Sequence, residues 1–343
     1  MIRVALRQFR TEAIVGFGLL AVLAIVLAVT GPHLAQVNDA FQSSCRPAGD
    51  CATTPNPVFR VDVPLQGFLP IIVTVAPALL GLFFGAPLIA RELETGTFRL
   101  AWTQSVTRRR WLAVKLGLVG IASMAIAGLL TWMVDWWASP LAAATKDRLD
   151  PGHFGWHGVV PIGYAAFAFA LGATAGVLLR RTVPAMAATL VGFVAARVAV
   201  GNWVRPNLAS PLHQSLSLAS TGIGSLNLAA QTGTFSLIPP SVNIPNGWVL
   251  STAVVDKSGK ALTDQYVLHA CPGYGRFPGA PPSPAAMQSV HASCLNTLST
   301  TFHTVAAYQP GSRFWPFQWA EMAIFLAAAV ALCGFSYWWL RRQ

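Results

Sequence analysis

Six apolar runs, each close to the roughly 20 residues needed to cross a hydrocarbon core, lie at about 12–30, 69–90, 112–138, 159–179, 183–202 and 316–340. Backbone polar groups in a bilayer must be bonded within their own segment, so each run is expected to be a transmembrane helix. The rest of the composition agrees. Charged residues make up only 10% of the chain and hydrophobic ones 54%, against about 25% charged in soluble chains. A net charge of +11 raises the question of nucleic acid. However, the basic residues stand at the ends of the apolar runs, where the preference for cations on the cytoplasmic side accounts for them. No nucleic-acid partner is expected.

The cations orient the spans. Residues 91–111 carry Arg91, Arg99, Arg108, Arg109 and Arg110, with Lys115 just beyond, against only Glu92 and Glu94. Arg180 and Arg181 follow the fourth run, and Arg341 and Arg342 follow the sixth. These three sites and the N-terminus are therefore expected inside, and residues 31–68, 139–158 and 203–315 outside. Both termini fall in the cytoplasm of a multi-pass plasma-membrane protein. The first run is too long for a signal peptide and lacks a small-residue cleavage site, so it is read as a retained span. Residues 1–11 alternate Ile2, Leu6 and Phe9 with Arg3, Arg7 and Arg10, the pattern of a helix lying in the inner interface.

The outer segments hold four of the five cysteines. Cys45 and Cys51 flank a short loop, and Cys271 and Cys294 lie in the long segment, while Cys333 falls in the sixth run. Two disulfides, Cys45–Cys51 and Cys271–Cys294, are favoured over a metal site, because no histidine spacing accompanies the thiols. Within 203–315, the run Gly247–Val255, the turn Asp256–Lys260 and the run Asp264–His269 predict a β-hairpin, and 284–304 predicts a helix. The tryptophans near span ends, among them Trp102, Trp136 and Trp203, are read as interfacial anchors rather than a ligand cage.

Candidate chemistry is sparse. The chain has no GxxxxGK[ST] phosphate loop, HExxH, GxSxG or CxxC, and its histidines are scattered, so no enzyme is indicated. Asp135, Arg197 and Glu321 are ionisable residues within apolar runs, all towards the outer side. Such charges are costly unless paired. Arg197 is therefore expected to pair with Asp135 or Glu321, as a structural tie between spans rather than a substrate gate. Gly81–Gly85 and Gly172–Gly176 form GxxxG patterns, which allow close helix approach.

Residues 91–115 carry a family likeness. Glu92-x-Glu94-x-Gly96-Thr97, followed by Ser105-x-x-Arg108 and Lys115, resembles the cytoplasmic loop of type-2 ATP-binding-cassette (ABC) exporter permeases. The stretch Tyr308–Trp315, then Gln318–Trp319–Ala320–Glu321 and the closing Trp338–Trp339–Leu340–Arg341–Arg342, looks like actinobacterial members. The six-span plan and amphipathic start are similar too, although 203–315 is much longer than the re-entrant helices usual there. The resemblance implies an all-α integral membrane protein. With the reading of the residues above, it would have six transmembrane helices, an N-terminal interfacial helix, a cytoplasmic coupling helix and, apart from the family pattern, a small mixed α/β extracellular domain between spans five and six. The divisions are 1–202 with the coupling segment 91–111, 203–315, and 316–343. It further implies an ABC ATPase subunit holding ATP and magnesium, with no cofactor in this chain. A second permease copy or homologue and membrane lipids are the other partners, and the exported substrate is a drug, peptide antibiotic, lipid or glycan. Glu92, Glu94, Gly96, Thr97, Trp102, Arg108, Arg109 and Arg110 would form the ATPase-coupling site. The rival reading is a membrane sensor or resistance protein that binds an extracellular ligand through 203–315.

Overall fold

The computed structural model describes residues 2–45, 56–95, 108–145, 148–222, 225–229, 234–271 and 284–342. Among them, six helices are long and apolar enough to cross a membrane. The first span is one helix, Ile2–Cys45, of 44 residues. No separate interfacial helix precedes it, since nothing before Gly16 breaks the helical run. Nor does it end near residue 30 as expected. At about 1.5 Å per residue it measures about 66 Å, well beyond a hydrocarbon core of about 30 Å. Pro32 sits inside it and removes one backbone hydrogen bond. Packing holds the helix together past that point. Leu34 is fully buried, the Trp137 indole N–H donates to Thr30 Oγ1 at 2.9 Å, and Asn56 Nδ2 donates to Asn38 Oδ1 at 3.0 Å.

The second span runs through Val63–Leu80, a π-turn at Gly81–Gly85 and Ala86–Thr95. The third is Arg108–Trp137, followed by short helices at Ser139–Thr145 and Pro151–Phe154. The fourth is Val160–Leu179 and the fifth Thr182–Ala199, the latter continuing through a π-turn at Val200–Val204 and a 3-10 turn at Arg205–Asn207. The sixth is Phe314–Arg342. Span four is the axis of the bundle. It is buried nearly throughout and packs against spans two, three, five and six.

Small residues explain that position. A β-carbon on Gly81 or Gly85 would stand 2.6 Å from the carbonyl oxygen of Ala168 or Phe169 respectively. One on Gly176 would stand 2.8 Å from the Ala86 oxygen, and one on Gly172 would overlap the Gly81 carbonyl. The two GxxxG patterns thus face each other inside one chain, backbone against backbone.

Unit one comprises residues 1–208 and 312–343, and a second compact unit spans Ala209–Gly311. Its sheet has the order β1 (Leu212–Ser217), β5 (Phe302–Pro310), β4 (Gly247–Asp256), antiparallel throughout, and β2 (Ser225–Ala229) pairs with β3 (Thr234–Ile238). The expected hairpin does not form. Asp264–Ala270 is a helix, capped by Thr263 Oγ1 accepting from the Tyr266 N–H, with an acid in its first turn. It buries Val267 against Cys271, Cys294 and Leu298. The partner of β4 is instead the distant β5, whose Phe302, Thr304, Val305 and Tyr308 suit a strand. The helix at Pro284–Ser299 ends before it, so the expected helical stretch stops short of residue 304. Cys271 and Cys294 are joined by a disulfide, and Cys333 is free. Cys45 is also disulfide-bonded, while Cys51 lies outside the described residues.

Candidate functional sites at the two ends of the bundle

At the end of the bundle that carries Arg180, Arg181, Arg341 and Arg342, the two glutamates of the ExExGT motif reach other spans. Glu92 forms an ion pair with Lys115 in the second turn of span three. The lysine is buried, and its Nζ lies 4.9 Å from the centroid of the Trp111 ring. Around this pair Ile89, Leu93, Trp111, Leu112, Leu116, Val177 and Tyr337 form a small apolar core. Glu94 meets span five. Its Oε2 accepts from the Thr182 backbone N–H at 3.1 Å and from Thr182 Oγ1 at 2.8 Å.

Span five needs that help. It follows a two-residue connection in which Arg180 takes a left-handed conformation (φ 54°) and Arg181, at the N-cap, makes no side-chain cap bond. The first N–H groups of a helix lack intrahelical partners and carry partial positive charge. Glu94 supplies the missing acceptor from a different helix. Gly96, Thr97 and Trp102 lie outside the described residues, and Arg108–Arg110 form the backbone of the first turn of span three.

Towards the opposite end, a second polar cluster is buried. Arg205 Nε donates to Glu321 Oε2 at 2.8 Å and Nη2 to Glu321 Oε1 at 2.9 Å, a bidentate pair. The Tyr164 hydroxyl also donates to Glu321, and the Arg205 guanidinium sits 4.2 Å from the centroid of the Phe154 ring. All three polar members are buried. The pairing expected for Arg197 is therefore not made here. Glu321 is taken by Arg205. Asp135 is taken by His157 Nδ1 and by the Gly158 N–H at 2.9 Å. Arg197 instead stacks 3.9 Å from the centroid of the Tyr164 ring.

Sequence reading passed over Arg205 because the apolar run had stopped at residue 202. The π-turn explains its placement. Eight residues of α-helix would separate Arg197 and Arg205 by about 80° around the axis. The wide turn, marked by the bond from the Arg205 N–H to the Val200 oxygen, absorbs one residue and reduces this to about 20°. Both arginines thus address Tyr164. Gln318, one turn before Glu321, was part of the family likeness but had no role assigned from sequence. Its Oε1 accepts from the Val159 and Val160 N–H groups at 3.1 and 3.0 Å, and its Nε2 donates to the Phe154 oxygen at 3.0 Å. It caps span four from span six, across Gly158 at φ +70°.

Residues 17–205, more than half of the chain, match the family described as ABC-2 membrane transporter related. The chain belongs to that family. No curated protein and no solved structure matches it. The ABC-2 match takes in Glu92, Glu94, Lys115, Asp135, Arg197 and Arg205, and stops before the second unit and Glu321. Family and fold together make this a multi-pass membrane permease subunit of an ABC transporter, a class whose partner is an ABC ATPase.

Proposed function

We propose that this permease is an exporter subunit driven by ATP hydrolysed on a separate ATPase, which holds the ATP and magnesium. The cation-bearing ends of the spans face the cytoplasm, as do both termini, and the unit 209–311 is extracellular. A second permease copy or homologue completes the pathway, and the substrate is a drug, peptide antibiotic, lipid or glycan.

The observation that carries this reading is the bracing of the end of span two, Ala86–Thr95. Glu92 ties that end to span three and Glu94 ties it to the start of span five. A push from below on the end of span two is thereby delivered to three spans together. Span two transmits it upward against span four, where backbones touch with no side chains between them. Interiors packed this closely move as blocks rather than deforming smoothly. ATP shifts the permease only by as much as the ATPase binds one arrangement more tightly than the other. The arginines 108–110, with Trp102, form the contact face in this reading.

Photo-crosslinking from positions 98 and 102 of the full chain in its native membrane tests the assignment. The expected product is an adduct to a soluble subunit carrying a GxxxxGK[ST] loop. Adducts to lipid and to this chain alone, with no such subunit at either position, would overturn it.

A further inference from the structure

Arg197 is a cation whose neighbours are already engaged. Its guanidinium carbon sits 3.9 Å from the centroid of the Tyr164 ring, its Nη1 is buried with no hydrogen-bond partner, and among the described residues it joins no ion pair. Glu321 and Asp135, the carboxylates expected to neutralise it, are held by Arg205, Tyr164, His157 and Gly158. The cluster of Arg197, Arg205 and Glu321 therefore holds two cations and one anion. Span five begins at Thr182, so Arg197 is about 22 Å along it at about 1.5 Å per residue. That depth is within the hydrocarbon layer of about 30 Å, where an uncompensated charge is costly.

The surroundings fit closely on one side of this side chain, which as a whole is only partly buried. A β-carbon on Gly155 would stand 2.8 Å from Arg197 Nη2, so any larger residue there displaces the guanidinium. One turn further along span five, Gly201 has nothing within 4 Å of where its β-carbon would be. The flanking Val194 and Val198 are half exposed and apolar. An arginine stacked on an aromatic ring keeps its N–H edge free for a two-point contact with a carboxylate or phosphate.

We propose that Arg197, backed by Tyr164 and given room by Gly155, binds the oxyanion of a membrane-embedded amphiphile, a phosphate or carboxylate attached to an apolar tail. The apolar, outward-facing valines argue that the ligand arrives through the bilayer. A resident anionic lipid and a transported anionic amphiphile share this chemistry. The lipid version stands without the transport reading; the transported version rests on it.

Native mass spectrometry of the full chain, delipidated and titrated with phosphatidylglycerol or phosphatidylcholine, tests the proposal. One phosphatidylglycerol per chain should bind at least about tenfold more tightly than phosphatidylcholine. Arg197→Gln should abolish that one preferred site while leaving weaker anionic binding elsewhere. Gly155→Leu keeps every charge but should also lose the site, and Arg197→Lys should weaken it, so the test survives if the glutamine variant fails to fold. Equal binding of the two lipids, or a preference unchanged in these variants, would overturn the proposal. Co-purified with its ATPase, the chain should keep the lipid through ATP turnover if the lipid is resident and release it if it is cargo. If no ATPase is recovered, the transport reading alone is affected.

Discussion

Removing one member of the Arg205–Glu321 pair leaves its partner as an uncompensated charge among Phe154, Tyr164 and Phe325. Breaking a buried ion pair from one side typically costs about 3–5 kcal/mol, whereas replacing both partners by apolar residues of similar volume is often neutral. Arg205→Met and Glu321→Leu should each lower the yield of folded, monodisperse protein in detergent, and the double variant should recover most of it. Fluorescence-detected size exclusion separates these outcomes, and equal losses in all three variants would show that the pair does not act as a unit. Arg197→Met should be much milder, because it breaks no pair. Sequence made the presence of charges inside spans legible, since Asp135, Arg197 and Glu321 interrupt apolar runs. It did not make their partners legible. Arg205 falls three residues beyond the apolar run that ends at 202, and whether it faces Glu321 depends on one extra residue in a turn.

Two elements turn on such local geometry. Deleting Gly201 should convert the π-turn at Val200–Val204 into ordinary helix while leaving Arg205 within about 20° of Arg197, because seven α-helical residues cover about 700°. The expected result is a folded yield well above that of Arg205→Met, whereas inserting one alanine after Gly201 should turn Arg205 by about 100° and lose yield as Arg205→Met does. A deletion as damaging as Arg205→Met, or an insertion without effect, would contradict the role given to the turn. In the second unit, Asp256 Oδ1 accepts from Ser258 Oγ at 2.6 Å and from the Ser258 and Lys260 N–H groups at 2.8 and 2.9 Å. These bonds, led by the Ser258 hydroxyl, hold its carboxyl below the usual carboxylate range. A carboxyl depressed in the folded state contributes stability above its unfolded value of about 3.9, and loses it as pH falls through the folded value. Amide exchange at Ser258 and Lys260 should therefore accelerate relative to the β4 amides as pH drops below about 4, and Asp256→Asn should remove that dependence. The turn itself was legible from Asp256–Lys260. The hairpin inferred from it was not, because the strand that pairs with β4 begins 46 residues after it ends, at Phe302, and local spacing carries no record of so distant a partner.

The six-span plan was legible because hydropathy is a property of each segment alone, and the cations at span ends are equally local. Helix one exceeded its apolar run because tertiary contacts at Leu34 and Asn38 carry the helix past the point where hydropathy ends. The glutamates of the ExExGT motif were legible as a motif, but what they hold was not. Sequence placed Glu94 in the ATPase-coupling site but gave no sign of its bonds to Thr182, 88 residues away. That contact, with the Glu92–Lys115 pair, joins the end of span two to spans three and five, and the proposed coupling depends on it. Spin labels at Phe68 and Trp203, both exposed on spans two and five, report whether the brace transmits motion. In the complex reconstituted with its ATPase, the distance between them should change on adding ATP. In Glu94→Ala the ATPase should still bind and hydrolyse ATP, but the ATP-dependent change should be lost, and Glu94→Gln, which keeps an acceptor for Thr182, should retain part of it. A Glu94→Ala complex that shows the full wild-type distance change would contradict the coupling route described for this permease.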